Sequence, residues 1–147
     1  MYKRQLPARL ESVGAVRARG GDNLIMETPK GFLRPYVGYD SSIFPFLFDG
    51  EVPDGIRPLE YVVISGDSAW ALDSLREKGR IETDELVLEW MPGRASALDS
   101  RKIADGRDLG IVTVSKKNPD GDPELAPYKI SFAFVWHAFN PEAEIIR

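Results

Sequence analysis

Tyr61-Val62-Val63-Ile64-Ser65-Gly66-Asp67-Ser68-Ala69-Trp70-Ala71-Leu72 is a sheet-building stretch, and it decides how the rest of the chain is read. Tyr61 to Ile64 and Ser68 to Leu72 flank Ser65-Gly66-Asp67, where glycine supplies the positive φ a tight turn can need, so the segment predicts a β-hairpin. Immediately after it, Asp73 to Lys78 closed by Gly79 predicts one or two helical turns with Leu72 and Leu75 inward. Beyond Asp84, Leu86, Leu88 and Trp90 alternate with Val87 and Glu89, the period-two pattern of a half-buried strand. Ser100 to Asp105, ended by Gly106, predicts a short helix capped by Asp99 or Ser100, and Leu109 to Val114 a further strand. Ser115 to Pro127 reads as a polar loop. Ile130, Phe132, Phe134 and Trp136 alternate with Ser131, Ala133 and Val135, which predicts a last strand with its bulky side chains on one face.

Upstream of the hairpin the pattern changes. From Lys30 to Pro58 the chain carries Pro35, Pro45, Pro53 and Pro58 among glycines and aspartates, which predicts a long loop. Phe32, Tyr36, Tyr39, Phe44, Phe46 and Phe48 give that loop enough apolar area to lie on a core, at about 2 kcal/mol for each ring buried. Pro7 followed by Leu10, Val13 and Val16 and stopped by Gly20-Gly21 predicts a one-sided helix, and Leu24 to Met26 a strand. The fold class that results is α+β: mainly an antiparallel β-sheet, with a few short helices and a long ordered aromatic loop.

The 147 residues fit one domain able to bury roughly 70% of its unfolded surface. A net charge of −4 excludes a basic nucleic-acid surface, and 43% apolar content excludes a disordered chain. The sequence holds no cysteine, which removes disulfides, thiolate nucleophiles and Cys-based zinc or iron–sulfur sites. His137 is the single histidine, so a His-rich metal cluster or two-His zinc helix is out of reach. No calcium-type Asp/Gly loop is present either, and no metal or cofactor is expected. The longest apolar run, near Phe132 to Trp136, is too short for a membrane span. Met1-Tyr2-Lys3-Arg4-Gln5 reads as a translated sequencing-adaptor sequence, the alternative being a genuine short basic N-terminus. On the first reading the biological sequence begins near Leu6, and residues 6–147 are a single partial domain.

Five separated motifs occur in one order. They are Arg34-Pro35-Tyr36-Val37-Gly38-Tyr39-Asp40; Pro45-Phe46-Leu47-Phe48-Asp49-Gly50; Ala95-Ser96-Ala97-Leu98-Asp99; Asp105-Gly106-Arg107-Asp108-Leu109-Gly110; and Ser131-Phe132-Ala133-Phe134 with His137-Ala138-Phe139. In these the chain resembles the C-terminal portion of a family catalogued as domain of unknown function 3179, over nearly everything from Leu6 onward. The resemblance implies an extracytoplasmic protein whose longer members carry a signal or lipoprotein leader, an upstream His-Glu-Ile-Val-Asn-Asp stretch and a Cys-Pro-Leu-Cys turn. It also implies that residues near 60–114 are a degenerate copy of that upstream unit, with Trp90-Met91-Pro92-Gly93 where the cysteine turn would be. The partner so implied is the N-terminal part of the same protein.

The candidate site residues each admit two readings. Tyr36, Tyr39 and Asp40 can form a ligand-facing rim or a packed loop in which Gly38 sets the bend. Ser96, Asp99, Arg107 and Asp108 bracket the expected short helix. They can gather an anion or a proton-transfer pair, or else Asp99 caps the helix and Arg107 pairs with an aspartate to pin the next strand. His137 can be a ligand or base, or a hydrogen-bonded packing residue. Two functions follow. The chain is a scaffold for Cys and His chemistry located elsewhere in the protein, or a non-catalytic module binding a small molecule such as a sugar through exposed Tyr36, Tyr39, Trp70 and Trp90. Exposure of those rings separates the two.

Overall fold

The computed structural model describes residues 18, 37–46, 48–100, 103–119 and 121–147. The expected helix over 7–20 (Ala18 apart), the strand at Leu24 to Met26 and Tyr36 lie outside the described residues. Among those described, eight strands form two sheets and two α-helices accompany them.

The hairpin is present as expected. β1 (Tyr61–Ser65) and β2 (Ser68–Ala71) pair antiparallel with Val63 opposite Trp70 and Ile64 opposite Ala69. Gly66 has φ 58° in the two-residue loop between them, a backbone angle that costs any other residue strain. α1 (Leu72–Lys78) follows without a break, buries Leu72 and Leu75, and ends at Gly79, whose amide donates to the Leu75 carbonyl. The chain then forms β3 (Arg80–Glu82), β4 (Leu86–Met91) and β5 (Ile111–Lys116), three antiparallel neighbours. β3 was not anticipated. Its outward Arg80 and Glu82 leave only Ile81 to signal a strand, too little for a periodicity.

The polar loop expected from Ser115 onward is interrupted by β6 (Glu124–Leu125), which pairs with Ser115 and Lys116 at the end of β5. A larger difference follows. β7 (Lys129–Phe132) stops where the expected strand would continue, and α2 (Ala133–Phe139) takes over. The reason is local and tertiary at once: Ala133 and Trp136, three residues apart, fall on one helix face against Val62, Ile64 and Ala69. The first amides of α2 also find acceptors, Ala133 donating to the Glu60 carbonyl and Phe134 to that of Pro58. β8 (Ile145–Ile146) then pairs parallel with β2.

The strand orders are β7-β1-β2-β8 and β3-β4-β5-β6. Val63 and Trp70 from the first sheet meet Leu88, Val112 and Val114 from the second, with Leu72 and Leu75 of α1 closing the side. α2 covers the opposite face of the first sheet. β1 and β2 are therefore buried on both faces, which is why their sequence is nearly all apolar. The long loop appears as expected within its described part, with one 3₁₀ turn at Tyr39–Ser41. Its rings divide. Tyr39 packs edge-on against Phe46 and Phe132 and Phe48 against Phe134, while Phe44 and the greater part of Phe46 face solvent.

Candidate functional site

The expected short helix after Asp99 is a single 3₁₀ turn, Ile103–Asp105, among the described residues. Asp99 does not start it. Its Oδ1 accepts from the Ser41 hydroxyl at 3.1 Å and its Oδ2 from the Arg107 amide at 2.7 Å, so it closes the turn from the far side. The bond from the Arg107 amide, with the Ser41 hydroxyl, holds the Asp99 carboxyl below the ordinary aspartate value against the opposing effect of burial. Ser96 lies opposite, its amide donating to the Arg107 carbonyl at 2.8 Å. Two separate stretches of loop are thereby stitched to each other.

Asp40 stands where they meet. Gly38, at φ 77°, turns the chain so that the 3₁₀ turn at Tyr39–Ser41 carries Asp40 into the interior with no solvent exposure. Asp40 Oδ2 accepts from Ser96 Oγ at 2.6 Å and from the Tyr61 hydroxyl at 3.2 Å. The Arg107 guanidinium reaches the same oxygen at 3.2 Å and also donates to the Asp40 carbonyl at 3.2 Å. Burial pushes the Tyr61 phenol above its ordinary value, which keeps it protonated as a donor. The Arg107 guanidinium carbon sits 5.8 Å from the centre of the Tyr61 ring, within cation–π range. Asp40 Oδ1 and Arg107 Nε are buried and, among the described residues, without a hydrogen-bond partner.

Of the candidates, then, Asp40, Ser96, Asp99 and Arg107 converge. Tyr61 joins them unforeseen. It opens a strand and reads as core, and the only hint in the sequence is that it is a phenol, not a phenylalanine, at that position. Asp108 is directed elsewhere: its carboxylate accepts from the Gly93, Arg94 and Gly110 amides at 2.7 to 3.0 Å and tightens the turn between β4 and β5. Burial opposes the charge on Asp108, and the three amides outweigh it, so that its carboxyl stays below the ordinary value. Beside this turn Trp90 donates its indole N–H to the Leu109 carbonyl at 2.9 Å.

His137 is remote from this group. It lies on α2 at the rim of an open groove of about 690 Å³ between the loop at Pro53 to Ile56 and the stretch from Pro141 to Arg147. Among the described residues no three His, Asp or Glu side chains gather as a metal site. The rings named for a flat binding surface turn inward: Trp70 is 2% exposed, and half-buried Trp90 and Tyr39 pack on the core and on neighbouring rings. No described helix is long and apolar enough to cross a membrane.

A smaller cleft of about 200 Å³ lies beside Arg107 and Tyr61, bounded by Arg57, Glu60, Asp73, Arg76 and Asp108. Burial, with a contribution from neighbouring Asp73, pushes the Glu60 carboxyl above its ordinary value.

The model of the family described as protein of unknown function (DUF3179) matches residues 4–143. No curated protein and no solved structure matches the chain.

Proposed function

Because the chain belongs to the DUF3179 family of proteins of unknown function, we propose that these residues act as the scaffold of the family domain and that its reactive side chains lie elsewhere in the protein. One observation carries the proposal. The polar residues of the family motifs that converge in space, Asp40, Ser96, Asp99 and Arg107, direct their hydrogen bonds to one another and to the backbone. Ser96 is fully buried and Leu98 donates to its hydroxyl, which suits a strut and not a nucleophile. A buried carboxylate clamping two distant loops is likewise a device for fixing one arrangement of a long segment with little regular structure of its own.

The composition supports the same division of labour. With no cysteine and a single histidine, these 147 residues carry few of the groups most often used for redox and transition-metal chemistry. The setting we propose is extracytoplasmic, with Cys and His motifs in other residues of the protein, on the strength of the resemblance to longer family members. The inward-facing Trp70, Trp90 and Tyr39 weigh against the alternative of a sugar-binding face.

The test is to purify a longer family member and the 147-residue chain in parallel and measure bound metal by mass spectrometry and free thiol by reagent titration. Metal or a reactive thiol in the longer protein, with no metal on the short chain, supports the proposal. Stoichiometric metal on the short chain, or neither group in the longer one, overturns it.

A further inference from the structure

The cleft beside Arg107 has features that a purely structural surface does not require. Arg57, Arg76 and Arg107 share it with Glu60, Asp73 and the amide-bound Asp108, so both signs of charge converge on one space of about 200 Å³. The ion pairs of Arg57 at its rim are slack, at 3.7 Å from Glu60 and 3.4 Å from Asp73, while Arg76 stands 3.2 Å from Asp73. Tight charge-assisted contacts close to about 2.7–2.9 Å. Arg107 differs from the other two. Asp40 holds its guanidinium from the buried side, so the group is oriented before anything enters the cleft.

We propose that this cleft binds a small zwitterion of amino-acid size, its carboxylate toward Arg107 and Arg76 and its ammonium toward Glu60 and Asp73. The mixed lining selects this class. Glu60 and Asp73 repel a plain anion, and the three guanidiniums repel a plain cation, whereas a molecule carrying both charges meets complementary groups at each end. The volume agrees, since it lies below the roughly 300 Å³ at which pockets for drug-sized ligands begin. The Glu60 carboxyl, raised by burial and by Asp73, is stabilised in its charged form by an arriving ammonium. The site adds to the scaffold reading and does not depend on it.

L-alanine, propionate and ethylamine separate the charges, since each of the latter two keeps one end of the first. Titration of the 147-residue chain, followed by backbone amide shifts in NMR, is expected to give saturable changes at Tyr61, Asp73 and Arg107 with L-alanine and affinity at least about tenfold weaker with the other two. Arg76→Gln, on an exposed side chain outside the Asp40 network, is expected to weaken L-alanine binding by about tenfold with an unchanged melting temperature. No saturable shift with L-alanine, equal affinity for propionate or ethylamine, or undiminished binding by Arg76→Gln overturns the proposal.

Discussion

The Ser96 hydroxyl donates to Asp40 Oδ2 at 2.6 Å, across 56 positions of sequence, and neither residue has solvent exposure. The same hydroxyl accepts from the Leu98 amide at 3.2 Å. Ser96→Ala removes both, and a bond to a charged group is worth about 1.5–3 kcal/mol. Urea denaturation is expected to show a loss in that range. In a double-mutant cycle with Asp40→Asn the two losses are expected not to add, because they report one network. Additive losses would place the two residues in separate roles.

Gly110 tests the turn that Asp108 ties. It has φ 72°, and a Cβ there would stand 1.9 Å from Trp90 Nε1, the atom that donates to the Leu109 carbonyl. Gly110→Ala combines left-handed strain with a clash and is expected to cost about 3 kcal/mol or more. Gly66→Ala, at φ 58° with nothing within 4 Å, is the control and is expected to cost only about 1–2 kcal/mol. Equal midpoints for the two variants would count against this turn geometry.

Much of the architecture was readable because local and tertiary signals agree. In β1 and β2 the apolar run, the Gly66 turn and the helix stop at Gly79 all point one way. They disagree after Phe132. Ile130, Phe132, Phe134 and Trp136 satisfy a strand period, yet Ala133 and Trp136 also satisfy a helical one. The choice falls to acceptors on Pro58 and Glu60, which no window around the segment contains. β8 is two residues long and exists only through its pairing with β2. At the site, the reading of Arg107 as an aspartate's partner anticipated the chemistry, while the identity of that aspartate, Asp40, depended on a loop bend 67 positions away. Tyr61 was missed because a residue at the head of a strand does not reveal which way its hydroxyl reaches.

Acid titration separates two kinds of carboxyl. Asp99 and Asp108 are held below the ordinary 3.8, so the stability they give is complete above that value and is lost below it, as the pH falls through their lowered folded-state values. Glu60 is raised above 4.5, so it costs stability at neutral pH and the cost vanishes as the pH falls to 4.5. Glu60→Gln is therefore expected to melt above the parent at pH 7 and to coincide with it below pH 4.5. Asp99→Asn is expected to flatten the loss on the acid side. A Glu60→Gln protein no more stable at neutral pH would contradict the assignment.

The tryptophans report the packing of both layers. Trp70 and Trp136 are 2% and 5% exposed, on opposite faces of the first sheet, and Trp90 is packed on the core. Blue-shifted emission and weak acrylamide quenching that becomes strong in urea are the expected signature. Quenching of the folded protein as strong as that of the denatured chain would show open rings and return the sugar-binding reading.

The most direct measurement is the urea stability of Asp40→Asn. As a structural clamp, Asp40 neutralises Arg107 and accepts from Ser96 and Tyr61, and its loss is expected to remove about 3 kcal/mol, toward the low end for a buried pair because Arg107 keeps some access to water. A residue kept for chemistry at the expense of the fold gives the opposite result. A midpoint within about 0.5 kcal/mol of the parent, or above it, would contradict the account.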